Sequence, residues 1–412
     1  MSNTSAGWRN PTLVLVCGAI ILTLALGVRQ TFGLFLQPMS AELGWGRGHY
    51  SFALALSNLI WGLAQPFFGA WADKQGSGRV VAVSGLLYAT GLALMSLSTT
   101  PLMLDFSAGL LIGLGISGVS FGIILGVVGR AFPPERRSVA LGVASAGGSF
   151  GQFLMVPFGA WLIGNIEWKH ALLVLAGVVL ATMPLAAAMV ERRRPAQADA
   201  AGHARSQSLS AALREAGRHS GFWYLTAGFF VCGFQIAFIS IHLPVYLHDL
   251  NLPLSVAGWA LALIGLFNIF GSFTAGYLGA RFSKKYVLSS IYFLRAAVIG
   301  MFLVLPASPL SVYLFAGGIG FLWLGTVPLT NGLVGQIFGV RYVSTLFGIV
   351  FLSHQVGSFL GVWLGGYLFD LTGSYASVWI GTIVLSLLAG ALNLPIDERP
   401  VARLSPAETG AA

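Results

Sequence analysis

Apolar residues fall into twelve long runs along the chain, separated by short polar stretches, and each run is long enough to cross a bilayer. A spanning helix needs about 20 mostly apolar residues. The runs predict helices over 12–36, 50–71, 79–98, 102–128, 139–164, 169–190, 222–247, 255–279, 286–306, 310–336, 344–368 and 375–395. The one long polar stretch, 191–220, opens with Glu191, Arg192, Arg193, Arg194 and Pro195 and continues through Ala, Gln, Ser and His. It reads as a linker carrying a short amphipathic helix at Leu209–Arg218. The pattern predicts an all-α membrane protein with an N-terminal six-helix bundle (1–190), a linker (191–220) and a C-terminal six-helix bundle (221–412). The first run is longer than the apolar core of a cleaved signal and is followed by no small-residue cleavage site, so it is expected to be a retained helix.

Composition sharpens this picture. The 412 residues are 56% hydrophobic and only 8% charged, against roughly 25% charged in soluble domains. So few charges could not cover a soluble surface, so the lipid bilayer is the expected solvent. The net charge of +9 does not point to nucleic acid, because the basic residues sit in short loops between apolar runs rather than in a stripe. Of the 22 lysines and arginines, Arg47 and Lys169 fall on one side, Arg29 and Arg295 fall within spans, and the other 18 fall on the opposite side. Positively charged loops stay cytoplasmic, which places both termini inside a cell inner membrane. Cys17 and Cys232 both lie in predicted spans, which argues against a disulfide framework or a zinc site. There is no phosphate-binding loop, paired carboxylate or metal-ligand cluster, so neither an enzyme nor a cofactor is expected. The chain is expected to act as a monomer.

The two halves repeat one another. Gly126, Val128, Gly129 and Phe132 recur as Gly332, Val334, Gly335 and Phe338, an offset of 206. The same offset pairs Gly142 with Gly348, Gly151 with Gly357 and Gly159 with Gly365; an offset of 207 pairs Gly69 with Gly276 and Lys74 with Arg281. With 54 glycines in the chain, isolated matches mean little, but a shared offset over several segments indicates duplication. Two repeats around a midplane site are a transporter plan.

After the second run stand Gly69, Asp73, Lys74, Gly76 and Arg79. This stretch resembles the loop signature of the major facilitator superfamily, Gly-x-x-x-Asp-Arg/Lys-x-Gly with basic residues following. Gly69 would allow close helix packing, Asp73 would pair with basic groups or cap a neighbouring helix, and Gly76 would permit a tight turn. The second-half copy, Gly276 to Arg281, has Ala280 in place of the aspartate, so any latch there should be weaker. Phe132, Arg136, Arg137, Ala140, Gly142, Ala144, Ala146 and Gly147 resemble the fifth-helix signature of the monocarboxylate porter family, which includes oxalate–formate exchangers. Gly27, Arg29, Gln30, Phe32 and Phe35 resemble the first-helix stretch where that family places a functional lysine, and Arg29 takes that slot. The chain departs from the family elsewhere. Asn268 and Ser272 stand where animal members carry an aspartate and an arginine, and Phe121 replaces a fourth-helix tyrosine of bacterial relatives.

The polar residues within the spans carry the functional expectation. A charge at the bilayer centre costs about 3 kcal/mol even on lenient scales. Arg295 lies in the middle of the ninth run and Arg29 somewhat beyond the middle of the first, yet none of the 13 acidic residues lies near the centre of a run. The missing negative charge is therefore expected to arrive with the substrate, and a guanidinium binds a carboxylate through two hydrogen bonds without deprotonating. Arg295 could instead bond helix-end carbonyls. His242 beside Pro244, and His354 with Gln355, could supply titratable or hydrogen-bonding groups, or could merely tie helices together. Asn268 occupies the family's functional slot, and Phe121 is a candidate substrate contact on an aromatic-rich face of a kind that more often packs than gates a substrate. The candidate site is thus Arg29, Phe121, His242, Asn268, Arg295, His354 and Gln355. The expected function is secondary transport of a small organic anion, coupled to protons or to anion exchange. An exporter of amphipathic drugs or hydrophobic metabolites on the same fold is the alternative, and a non-transporting receptor is a third class.

Overall fold

The computed structural model describes residues 10–190, 208–339 and 342–402, and every regular element among them is helical. Twelve helices are long and apolar enough to span a membrane. In chain order, spans 1 to 6 are Pro11–Leu43, Arg47–Ala72, Ser77–Ser96, Pro101–Ala131, Ala140–Asn165 and Trp168–Met189. Spans 7 to 12 are Ser220–Asp249, Leu254–Arg281, Lys284–Val304, Pro309–Phe338, Thr345–Thr372 and Ala376–Asn393. They form two six-helix bundles. The expected amphipathic helix occupies Leu209–Arg218, with Ser208 Oγ accepting from Ala211 N at 3.2 Å as its N-cap. The preceding 191–207 of the expected linker lie outside the described residues.

Span 1 is longer than the apolar run suggests and ends at Leu43 rather than near 36. The helix carries Gln37, Ser40 and Glu42 beyond the run because those groups reach the bundle end, where Glu42 holds Trp168 and Lys169 of span 6. Besides span 6, which is interrupted at Ala181, three spans are broken along their length. Span 1 is interrupted at Thr31, whose hydroxyl donates to Val28 O at 2.7 Å. Span 4 turns extended at Ser120, with φ −95° and ψ 179°. Span 10 stops at Phe321 and restarts at Thr326. The breaks in spans 4 and 10 fall at places related by the same sequence offset of 206. Freed backbone groups at membrane depth are tolerated only where protein or cavity water satisfies them.

The duplication is also visible in packing. A Cβ on Gly27 would strike Gly151 O, and one on Gly233 would strike His354 O. Gly151 sits against Thr23 O, and Gly357 against Phe230 O. Spans 1 and 5 therefore cross as spans 7 and 11 do, with backbones in contact that only glycine permits. Tyr88 of span 3 donates to Ala25 O at 3.1 Å, and Tyr292 of span 9 donates to Gly228 O at 2.5 Å, so each half repeats this tie as well.

Candidate functional site

The interface between the halves is built mainly by spans 1 and 2 against 7 and 11, and by span 5 against span 8. Its middle holds Arg29. This side chain is half-buried, one turn before the point where Gly33 of span 1 presses on Ser240 O of span 7. Its Nη2 donates to Asn58 Oδ1 of span 2, and its guanidinium carbon lies 5.0 Å from the centre of the Trp61 ring. A small cavity of about 20 Å³ is lined by Arg29, Gln30, Ser57 and Asn58 from the first half and by Ala237 and Ser240 from the second. That is room for little more than one water, so any larger solute must open the interface.

A connected polar chain leaves this cavity and crosses between the halves. Gln355 of span 11 is 1% exposed and donates through Nε2 to Asn58 O at 3.0 Å, while His354 Nδ1 lies 3.0 Å from Gln355 Oε1. The His354 ring stacks on Phe351 at 5.8 Å, and Phe351 meets the edge of Trp61 at 5.8 Å. Arg29, His354 and Gln355 are thus brought to one place, joined through Asn58 and Trp61. Trp61 Nε1 donates to Gln65 Oε1 at 2.9 Å, and Ser120 Oγ donates to the same oxygen at 2.9 Å, so the break in span 4 reaches the same network. Phe121 follows that break and packs against Gly148 of span 5.

Arg295 is placed differently. It is 1% exposed and lies wholly within the second half. Its Nε and Nη2 donate to Leu322 O at 3.1 and 2.7 Å, Nη2 also donates to Trp323 O at 2.5 Å, and Nη1 donates to Gln235 Oε1 at 3.3 Å. The carbonyls at the break in span 10 saturate this guanidinium, and Arg295 does not line the cavity beside Arg29. Asn268 serves the same break from span 8. Its Oδ1 accepts from Leu324 N at 3.0 Å, and its Nδ2 donates to Ser149 Oγ of span 5 at 2.8 Å. Among the described residues no carboxylate pairs with Arg29 or Arg295.

His242 lies nearer the end of the bundle opposite the termini, fully buried, with Nε2 2.8 Å from Val362 O and Nδ1 3.1 Å from Tyr375 OH. Because Val362 O can only accept, Nε2 carries the proton, and Nδ1 accepts from the tyrosine. Tyr375 belongs to a latch at that end. Arg47, at the start of span 2, grips Asp249 at the end of span 7 with two bonds of 2.6 and 2.7 Å. The Arg47 guanidinium lies 3.7 Å from the Phe369 ring centre and 3.3 Å from Tyr375 OH. Asp370 of span 11 accepts from Arg47 N at 2.9 Å and Gly48 N at 2.7 Å, capping span 2 across the interface.

The loop motif takes its expected turn but not its expected packing. Gly76 has φ +99°, a conformation that side-chain-bearing residues avoid. Lys74 and Arg79 are exposed, and the Asp73 side chain lies outside the described residues. Among the described residues, no heavy atom lies within 4 Å of a Cβ built on Gly69, so none of them makes the close helix contact expected there. The residues that sequence reasoning missed, Asn58, Trp61 and Gln65, do carry a signal. They recur at helical spacing on one face of span 2 and form a polar stripe in an apolar run.

Two six-span repeats, each with a helix broken at the same sequence offset, and a cationic side chain at the cavity between the halves define a membrane transporter. The model of the Major Facilitator Superfamily matches residues 15–325 and 228–412, and the chain belongs to that family. It is 26% identical over 369 residues to monocarboxylate transporter 13 of Rattus norvegicus, covering 89% of this chain and 83% of that protein. It is 24% identical over 358 residues to the oxalate:formate antiporter of Oxalobacter formigenes, covering 86% and 84%. Among solved structures, it is similar to an inward-facing, unoccupied bacterial homologue of the human lysosomal transporter Spinster. The TM-score is 0.72 at 17% identity, over 93% of this chain and 96% of that one.

Proposed function

We propose that this transporter carries a small organic anion, with Arg29 holding its carboxylate. The observation that carries this reading is the partner of Arg29. The guanidinium sits at the inter-half cavity and, among the described residues, is occupied by a neutral amide oxygen and a ring face, whereas Arg295 is satisfied by carbonyls. A carboxylate would displace Asn58 because a charge-assisted, two-pronged bond is about twice as strong as a neutral one. The names of the relatives, a monocarboxylate transporter and an oxalate:formate antiporter, favour the same solute class. In this reading the halves 1–190 and 221–412 rock about the cavity, with the linker 191–220 joining them. The anion gives the closed state contacts that the empty state lacks. The termini face the cytoplasm of a cell inner membrane, so the Arg47 latch closes the outer side. His354 is the titratable group joined to the site, and either it carries a coupled proton or the carrier exchanges one anion for another.

Purified protein in liposomes tests this. Arg29→Gln should abolish uptake of small carboxylates while a folded, monodisperse protein is retained. Arg29→Lys should keep part of the activity, because it keeps the charge but not the fork. Wild-type uptake rates in Arg29→Gln, or flux of cationic dyes in place of carboxylates, would refute the assignment.

A further inference from the structure

The linker helix Leu209–Arg218 presents three different sides. Ala212 and Ala216, four residues apart, are 3% and 1% exposed and dock it on the protein. Arg214 and Arg218 each stand two positions beyond one of these alanines, about half a turn of the helix round, and both are exposed. Against these two arginines the helix carries one acid, Glu215. Leu209 and Leu213 each stand three positions before one of the alanines and so flank the docked side, yet they remain 43% and 37% exposed. An apolar edge beside a basic one is the pattern of a helix lying in a membrane interface. The position of the helix agrees. His219 turns the chain from its end directly into span 7, which opens at Ser220. Trp223, in the first turn of that span, donates through Nε1 to Gly217 O at 2.9 Å and is 55% exposed. Gly217 continues the row of Leu209 and Leu213 at the same four-residue spacing. The indole therefore extends the apolar edge to the level where span 7 enters the bilayer, the depth that tryptophan favours.

We propose that this helix binds anionic lipid headgroups in the leaflet on the side of the termini. Leu209, Leu213 and Trp223 enter the shallow part of the acyl layer, and Arg214 and Arg218 reach the phosphates just beyond it. A lipid fits this face better than a soluble partner does. The apolar edge is continuous with a spanning helix at the bilayer boundary, and the charges beside it match a phosphate layer in sign. A zwitterionic lipid answers the apolar edge alone, whereas a net-negative headgroup also answers the guanidiniums. The contact fastens the start of span 7, whose middle lines the cavity beside Arg29.

This lipid contact does not depend on the solute carried, so it is read without a transport assay. Gly217→Cys provides a labelling position where an added Cβ meets nothing within 4 Å among the described residues, and both native cysteines are buried. The full chain, carrying a nitrobenzoxadiazole fluorophore there, is reconstituted in phosphatidylcholine vesicles. Nitroxide-labelled phosphatidylglycerol or nitroxide-labelled phosphatidylcholine is added as quencher, which gives the relative association constant of the two lipids at the helix. The anionic lipid should be favoured by about fivefold for each arginine. Arg214→Gln with Arg218→Gln should bring the preference to within about twofold of one, and so should about 1 M salt. Leu209→Ser with Leu213→Ser should reduce quenching by both lipids alike. Equal association of the two lipids with the otherwise unaltered chain, an arginine pair variant that keeps the preference, or a leucine pair variant with undiminished quenching would each overturn the assignment. Quenching by neither lipid would place this face in water, open to a soluble partner, and would overturn it as well.

Discussion

Replacing Asp249 by alanine tests the closed end of the interface. Asp249 is the last residue of span 7, where a negative charge opposes the helix dipole, so its presence there calls for a cationic partner. Arg47 supplies one through two parallel bonds of 2.6 and 2.7 Å. A hydrogen bond to a charged group is worth about 1.5–3 kcal/mol when buried, but these side chains are 17% and 30% exposed. Solvent screening reduces the pair to about 2 kcal/mol in total. At 1.4 kcal/mol per tenfold, Asp249→Ala should move the balance toward the state open at this end by about 25-fold. Arg47 would remain folded against Phe369 and Tyr375, so the loss should fall on the equilibrium and not on stability. Spin labels at Ala41→Cys in the first half and Leu250→Cys in the second report the separation, since both native cysteines are buried. The variant should populate a longer distance that is scarce in the wild type. The charge-swapped pair Arg47→Asp with Asp249→Arg should restore part of the short distance. An unchanged distribution in Asp249→Ala would show that the pair is surface decoration and that the closed end is held by apolar packing alone.

Other substitutions have definite expectations. Asn58→Asp would give Arg29 an internal carboxylate, so the protein should stay folded while carboxylate affinity in an equilibrium binding assay falls by about a hundredfold. Arg295→Leu would strand the carbonyls of Leu322 and Trp323 and should lower unfolding free energy in detergent by about 3 kcal/mol. A variant as stable as wild type would show that water replaces the guanidinium at that break. Gly151→Ala and Gly357→Ala, each forcing a Cβ onto a facing carbonyl, should each cost about 1–3 kcal/mol, read as a drop in thermal midpoint.

The helix count, the amphipathic helix and the duplication were legible because each is written in a periodic pattern: apolar run length, polar–apolar alternation and a constant glycine offset. Arg29 was legible for a different reason, since an ionised group in an apolar run has few tolerable surroundings. That logic did not distinguish Arg29 from Arg295. Both are lone cations in apolar runs, and only the fold reveals that span 10 breaks beside one of them and offers it bare carbonyls. Asn268 illustrates the same limit: its Oδ1 serves Leu324 N, 56 residues away, and no local pattern announces that partner. His242 stands out beside a helix-interior proline, but its link to the latch runs through Tyr375, 133 residues along the chain, a partner that no local pattern announces. Arg47 read as an ordinary loop charge because Asp249 and Asp370, its partners, stand more than 200 and 300 positions along the chain.

Two sets stand apart among the glycines of the repeat. Gly27, Gly151, Gly233 and Gly357 are pressed against facing backbone, whereas Gly69, Gly142, Gly276 and Gly348, toward the end with the termini, meet nothing within 4 Å among the described residues. The second set is idle here, yet the same offsets relate its members. If the bundles pivot about their middle, separation at one mouth means approach at the other, and bare backbone is what lets helices draw near. Alanine at Gly69 or Gly276 would then be silent in this conformation and penalised in its opposite, biasing the cycle without touching the solute. One conformation leaves this second set without a contact to explain it, and its bare backbone is the imprint of the shape the chain takes next.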